Sequence, residues 1–411
     1  MKKRILLQGP ILSQSGYGYQ TRFALRALRT REEEIEIFLV STNWGHTSWL
    51  HDDDPERKWI DQKLQDTITY RNAGGTFDAF LQVTIPLEIE QLAPINILYT
   101  AGIETTHVAP EWLNQVNLLT KMIVVSNHSK QSFRNSSYQF KDQNGNLSQL
   151  NCSVPIDVVN YSVQKVKAKK SKIKLDYDFN FITVAQWSPR KNLDNLIKWF
   201  VEEFKDEYVG LVVKTSQTKN CHVDRILTHN RIKELLKPYK DHKCKVYMIH
   251  GSLTDEEMFG LYKDTRIKAY VSTTHGEGFG LPLFEAAQVG LPIVSPAWSG
   301  QSDFLFIKGK EKFASVDFEL KPIQEEAVWD KVLMRGSHWC FPKEESFKRK
   351  IRDVFNNTND YKEQAKELAD YLNKEFNEDR MYGLFVDSVM ECFKSTDDEI
   401  ELWLNEIEVH E

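Results

Sequence analysis

What the chain has little of narrows it first. Its 411 residues hold only five cysteines, at 152, 221, 244, 340 and 392. None form a Cys-x-x-Cys pair or a zinc-type spacing, and the count is odd. This argues against a secreted disulfide framework and a structural zinc site, and for a reducing cytoplasm. No apolar run approaches the roughly 18 residues a membrane helix needs. The short Ile5–Leu7 run behind Met-Lys-Lys-Arg is too brief for a signal peptide. A soluble, cytoplasmic protein is expected, with peripheral membrane contact left open. Excess positive charge is missing as well. The net charge of −6 does not suit a general nucleic-acid binder, whose domains are usually basic, although it leaves room for a local basic groove. No Asp-x-Asp motif stands in a place suited to a metal site, and no short-period repeat is visible.

What is present is strand–helix alternation from end to end. Short apolar runs at 5–8, 35–40, 80–84, 95–100 and 122–126 read as strands, and a second series follows at 181–186, 209–215, 245–249, 268–272 and 292–295. Amphipathic stretches between them (20–30, 110–119, 193–204, 255–263, 282–288) read as helices, as does the tail after Lys343. Such alternation predicts an α/β chain with parallel sheets covered by helices on both faces. The length suits two domains, and the pattern starts twice, near residues 3 and 179. The expected division is 1–165, 175–385 and a last helical segment 386–411. The basic run from Val163 to Lys174 reads as a solvated linker rather than a DNA or membrane patch, and Asp142–Asn151 as a surface loop. The acidic stretch from Glu375 to Val409 is too amphipathic for a disordered tail.

The richest segment is Glu277-Gly278-Phe279-Gly280-Leu281-Pro282-Leu283-Phe284-Glu285. It follows the strand at 268–272 and opens a helix, since Pro282 fits the first helical turn. Gly278 and Gly280 let backbone approach a ligand, and the free N–H groups of the helix start favour a phosphate. Two carboxylates beside a phosphate make better sense as acceptors of hydroxyl groups.

Glu-x7-Glu around Gly-Phe-Gly-Leu-Pro, with Gly290-Leu-Pro-Ile-Val after it, resembles the retaining glycosyltransferases of family 4. The resemblance implies a GT-B fold: two facing, Rossmann-like, doubly wound domains, the first (1–165) binding the acceptor and the second (175–385) the nucleotide sugar, with the last helix (386–411) crossing back to the first. It implies that Glu277 sits by the transferred sugar, that Glu285 holds the nucleotide's ribose, and that the backbone of Gly278, Phe279, Gly280 and Leu281 contacts sugar and diphosphate. Upstream, Trp187-Ser-Pro-Arg190-Lys191-Asn192 matches the family's basic loop, with Lys191 neutralising the donor diphosphate and Arg190 beside it. The family's Arg after the strand is Gln186 here, which removes one phosphate contact unless Arg190 supplies it. Lys214 ends a strand and is a further donor-side candidate. Fixed cations and backbone N–H groups suit a leaving diphosphate, so the resemblance implies no metal and no cofactor, the nucleoside-diphosphate sugar being a co-substrate.

In the N-terminal half, Gly16-Tyr17-Gly18 resembles the family's first glycine loop. Gly16 and Gly18 are donor-binding candidates and Tyr17 an acceptor-side one. Glu104-Thr105-Thr106-His107 ahead of Pro110-Glu-Trp112 resembles the loop over the family's cleft, making Glu104, Thr105 and His107 acceptor-side candidates. No nucleophile is assigned. The expected reaction is retaining transfer of a hexose or pentose from a UDP- or GDP-sugar to a hydroxyl of a saccharide, surface glycan or lipid-linked sugar. Two alternatives stay open. One is a phage enzyme glycosylating hydroxylated pyrimidines in DNA, given a resemblance to tailed-phage reading frames, which would work in the host cytoplasm. The other is a sugar-nucleotide epimerase on the same fold. Oligomeric state is not legible.

Overall fold

The computed structural model describes residues 2–45, 47–50, 53–141 and 147–408, with side chains of the last helix described as far as Lys394. The chain forms two compact units. One comprises Met1–Gly102, Val108–Ser162 and Glu378–Glu411, the other Ile103–His107 and Val163–Asn377.

The first unit is built on a parallel sheet of β1 (Lys3–Gly9), β2 (Ile35–Ser41), β3 (Ala79–Val83), β4 (Ile95–Thr100), β5 (Lys121–Val124) and β6 (Ile156–Val158). Its spatial order is β2-β1-β3-β4-β5-β6. That is the flavodoxin-like variant of a doubly wound sheet with one strand added at the edge. Every residue of β3 and β4 is buried, as expected where helices cover both faces of a parallel sheet. Helix α1 (Gly16–Arg29) follows β1. Ser15 caps it by accepting a hydrogen bond from the Gly18 N–H. Its Phe23, Ala24, Ala27 and Leu28 lie on one buried stripe.

The second unit repeats the plan with β7 (Asn180–Val184), β8 (Gly210–Lys214), β9 (Lys245–Ile249), β10 (Ile267–Val271), β11 (Ile293–Pro296) and β12 (Ala314–Val316). These six parallel strands run in the order β9-β8-β7-β10-β11-β12, the Rossmann order 3-2-1-4-5-6. Helix α2 (Leu193–Glu203) buries Leu193, Leu196, Ile197, Phe200 and Val201, and Phe181 of β7 joins the same core. Helix α3 (Leu281–Gln288) follows β10.

Several expectations needed correction. Asp142–Asn151 is not all loop, because Leu147–Asn151 pairs antiparallel with Ser137–Lys141; residues 142–146 lie outside the described residues. The basic run after Val163 is not merely solvated linker. Lys169 N–H donates to the Glu256 carbonyl, its ammonium pairs with the Glu256 carboxylate, and its own carbonyl occupies the space a side chain on Gly260 would need. Helices Pro55–Asn72 and His222–Leu236 had no apolar stripe to betray them. They bury only Ile60 and Thr67, and Asp224, Thr228 and Ile232, respectively.

The last helix, Glu378–Glu408, counts with the first unit. Its Tyr382 and Phe385 rings meet Phe23 at 5.2 and 5.8 Å. Buried Lys121 donates to Asp157 at 3.0 Å and also reaches Glu391. No described helix is long and apolar enough to cross a membrane.

Candidate functional site

In the second unit the strand order reverses between β7 and β10, and the chain leaves their carboxyl ends in opposite directions. A doubly wound sheet opens a crevice at such a point. Two loops meet there, one from Ala185 to Asn192 and one from Ser272 to Gly280.

The first loop is set by a short 3-10 turn, Pro189–Lys191, and by Asn192, whose φ of 53° is left-handed. Asn tolerates that region better than most residues. Its side chain donates to the Thr273 carbonyl at 3.1 Å, and the Thr273 hydroxyl donates back to the Asn192 carbonyl at 3.0 Å. The His275 N–H also donates to the Arg190 carbonyl at 2.8 Å. The two loops are thereby stitched together, and four charges converge between them.

Lys191 Nζ lies 2.6 and 2.7 Å from the two carboxylate oxygens of Glu277. Arg190 donates to the Gly276 carbonyl at 2.6 Å and to Glu277 at 3.2 Å. Its other terminal nitrogen pairs with Glu104 at 3.2 Å. The Glu277 and Lys191 side chains are only 8% and 15% exposed, so these charges interact with little screening by water. Burial pushes the Glu277 carboxyl up, but Lys191 and Arg190 outweigh it and hold the group below the usual glutamate value. Burial draws the Lys191 ammonium below the ordinary lysine range against the pull of Glu277. The four charges sum to zero.

The turn into α3 needs Gly280, whose φ is 97°. Behind it lies the loop Ser299–Asp303. Ser299 Oγ accepts from the Glu277 N–H at 2.8 Å, and the Gly300 N–H donates to the Glu277 carbonyl at 2.9 Å. A Cβ on Gly300 would stand 2.0 Å from the Gly278 carbonyl oxygen. The Phe279 ring packs on Phe284 and Phe304 at about 5 Å, so that side chain serves the core.

Glu285 sits in α3 with Tyr262 donating to it at 3.1 Å. Burial, reinforced by Asp255, pushes its carboxyl up to about 8, only partly countered by Tyr262 and Lys214. Burial likewise lowers the Lys214 ammonium, and Glu285 opposes that. The two candidates therefore share one electrostatic neighbourhood, at the end of β8 and the start of α3.

Two supports were not legible. His275 is 2% exposed, bonds the Cys340 carbonyl through Nδ1 at 2.6 Å, and stacks on Trp339 with ring centroids 5.1 Å apart. Burial, aided by Arg190, lowers its imidazole to about 4 despite the Cys340 carbonyl. Asp224 accepts from the N–H groups of Gln217, Thr218 and Lys219 and from His250 at 2.7 Å. Burial works against its ionisation, but His250 and those N–H groups keep it well below the usual range. This buried carboxylate fixes the loop that follows β8.

Of the acceptor-side candidates, Glu104 alone joins this cluster. Glu104 pairs with Arg190 in the second unit, although it precedes most of that unit in sequence by some distance. His107 is exposed, and its Nδ1 meets the Thr106 hydroxyl at 2.8 Å. Thr105 is buried and donates to the His107 carbonyl at 3.0 Å. Gly16, Tyr17 and Gly18 belong to the first unit. A Cβ on Gly16 would meet nothing, whereas one on Gly18 would stand 2.0 Å from the Ser13 carbonyl oxygen, so Gly18 lets α1 pack on its own preceding loop. All five cysteines are free, four of them buried. Among the described residues no three His, Cys, Asp or Glu side chains gather as metal ligands would.

Residues 164–316, which hold this constellation apart from Glu104 and Trp339–Cys340, match the family model of glycosyl transferases group 1. Among curated proteins, the serotype-specific mannosyltransferase WbdA of Escherichia coli is 28% identical over 136 residues, 32% of this chain. The match spans 15% of that protein's length. Among solved structures, sucrose-phosphate synthase from Thermosynechococcus elongatus matches with a TM-score of 0.65 at 12% identity, over 96% of this chain and 100% of that one. HepE from Anabaena, solved with UDP and glucose, gives 0.61 at 12% identity over 95% and 100%. A glycosyltransferase from Rickettsia africae gives 0.60 at 13% identity over 96% and 99%. At these identities the likeness is one of fold, and the fold is GT-B: two Rossmann-like domains.

Proposed function

We propose that the chain is a retaining glycosyltransferase that uses a nucleoside-diphosphate sugar. The single observation that carries this reading is the buried Lys191–Glu277 pair with Arg190 at the reversal point of the second sheet. A family match over the same residues stands beside it.

In this reading the donor diphosphate lies against Lys191, Arg190 and the N–H groups at the start of α3. Lys191 shares its bonds between Glu277 and phosphate. The bond between the sugar's anomeric carbon and the phosphate oxygen breaks, and its electron pair passes to the diphosphate. Lys191 and Arg190 stabilise that growing charge without having to reorganise. An acceptor hydroxyl bonds the anomeric carbon from the face the diphosphate leaves, and its proton passes to the departing phosphate oxygen. Glu277, kept ionised by its cations, accepts hydroxyls of the transferred sugar and steadies positive charge on the ring. Glu285 accepts the two ribose hydroxyls, which suits a carboxylate with two oxygens. The mannosyltransferase match puts a mannosyl donor first among those to try.

The test is to offer the purified chain UDP- and GDP-sugars with neutral glycans, lipid-linked sugar and hydroxymethylated DNA. Nucleoside diphosphate release and the anomeric configuration of the product by NMR are then read. Release of one nucleoside diphosphate with retained configuration supports the reading. Inverted product, or epimerised donor with no transfer, overturns it.

A further inference from the structure

The first unit carries a cavity at the carboxyl ends of β1 and β2. The segment after β2 folds back over the loop after β1. The Thr42 N–H donates to the Gly9 carbonyl at 3.0 Å, Gln14 N–H to Ser48 at 2.7 Å, and Leu50 N–H to Leu12 at 2.8 Å. These three backbone bonds clasp the two loops around a cavity of about 250 Å³. Its lining includes Ser13, Thr42, Asn43, Trp44, Thr47 and Trp49.

One ring of the lining is held in place. Trp44 stacks on Tyr17 with centroids 4.0 Å apart and planes 23° from parallel, and the Tyr17 hydroxyl meets Thr100 at 3.0 Å. Trp49 is 50% exposed. Beside the rings runs a chain of hydroxyls. Ser13 Oγ lies 2.9 Å from Ser15 Oγ and 2.6 Å from Thr47 Oγ1, and Thr47 donates to the Trp44 carbonyl at 2.8 Å. Among the described residues, none of those lining the cavity carries a charge. Arg22, from α1, turns its guanidinium to the Ile11 and Ser13 carbonyls at 2.8 and 3.0 Å.

Indole faces, uncharged hydroxyls and an amide make a surface with one kind of complement. A pyranose ring has an apolar C–H face that lies on an aromatic plane, and a rim of hydroxyls that exchange hydrogen bonds with Ser, Thr and Asn. Nucleic acid would also stack on indole, but it needs cations to track its phosphates, and the described lining residues offer none. An anionic lipid headgroup fails for the same reason.

We infer that the Trp44–Trp49 cavity binds a neutral saccharide and is the acceptor-sugar subsite of the enzyme. The identification as acceptor subsite rests on the glycosyl-transfer reading; the chemistry of the ligand does not. The acceptor is then a neutral glycan rather than hydroxylated DNA.

The test titrates methyl α-mannoside, methyl α-glucoside, maltotriose and the oligonucleotide (dT)12 into the full chain, following tryptophan fluorescence and saturation-transfer NMR. Trp44→Ala, Trp49→Ala and Trp329→Ala are run in parallel, Trp329 being an exposed indole of the other unit. At least one neutral sugar is expected to bind the wild type and Trp329→Ala alike, and about tenfold more weakly to Trp49→Ala. Because Trp44 is packed on Tyr17, its variant is judged only if its melting curve stays cooperative; Trp49, half in solvent, carries the test otherwise. Sugar binding unaffected by Trp49→Ala, no sugar binding at all, or binding of (dT)12 that Trp49→Ala abolishes overturns the inference. Titration with UDP and GDP separates the two levels: nucleotide binding without sugar binding sinks this subsite alone, while absence of both sinks the glycosyl-transfer reading too.

Discussion

Lys191 and Glu277 stand 86 residues apart in sequence, yet the ammonium contacts both carboxylate oxygens, at 2.6 and 2.7 Å. Truncating either member would leave the other buried without its closest partner, which is costly. Isosteric changes are therefore the informative ones. Glu277→Gln keeps the shape and hydrogen-bonding capacity while removing the charge. Turnover is expected to fall about 10²–10³-fold, the scale of losing one preorganised electrostatic group. Circular dichroism should show the fold retained.

Glu285 gives the donor site a pH dependence. Its carboxyl is pushed up to about 8 in the free protein, so near neutrality most molecules carry it protonated. A ribose bound through the carboxylate favours the ionised form, so affinity rises with pH until the group is fully ionised. Nucleoside diphosphate is expected to bind about tenfold more tightly at pH 9 than at pH 7, with proton release on binding. Calorimetry in buffers of different ionisation heat measures both. Glu285→Gln should bind weakly with a flat profile over that range.

His275 makes stability pH-dependent in the acid range. The folded chain holds this imidazole neutral down to about 4, while the unfolded chain protonates it near 6.5. Below about 6.5 the unfolded state binds the extra proton, so stability is full above that pH and falls towards pH 4. The loss amounts to about 3 kcal/mol by the bottom of that window. The raised Glu285 carboxyl works in the opposite direction over the same window, so the His275 loss is read as the difference between the wild type and His275→Gln in denaturant titrations at pH 7 and pH 4.5, the variant losing less on acidification.

Gly300 tests whether the turn at Gly278–Gly280 must be held from behind. Its missing Cβ leaves room for the Gly278 carbonyl oxygen, only 2.0 Å from where that carbon would lie. Gly300→Ala forces the turn to move, and misplacement on the order of 1 Å can cost about 10²-fold in rate. A fall in kcat/KM with a modest loss of stability is the expected result. Gly16→Ala is the matched control in the other unit, because a Cβ there meets nothing.

The site was legible where one stretch of sequence carries it. Pro282 and Gly280 marked the start of α3, and the apolar runs behind β7 and β10 marked the strands that present the two loops. What joined those loops was not legible. The Asn192–Thr273 exchange, Ser299 under Glu277, and His275 against Trp339 and Cys340 are contacts between distant segments, which no local period encodes. Glu104 shows the same limit. Its residue type drew attention, but only the folded chain reveals that Ile103–His107 counts with the second unit and that its carboxylate faces Arg190. The first sheet's order was hidden for a related reason: alternation announces a doubly wound sheet, while β3 rather than β4 taking the other side of β1 depends on packing. Trp44 and Trp49 lie in a stretch without periodicity, so nothing local marked them as a pair.

The central claim is that Lys191 exchanges part of its bond to Glu277 for the donor diphosphate. The direct measurement compares Lys191→Met with the wild type, at saturating donor sugar, by release of nucleoside diphosphate. Methionine keeps most of the side-chain volume and removes the charge. The expected result is a cooperative melting curve, donor affinity lowered, and turnover reduced by about 10²-fold or more. Wild-type turnover and unchanged donor affinity in Lys191→Met would contradict the account.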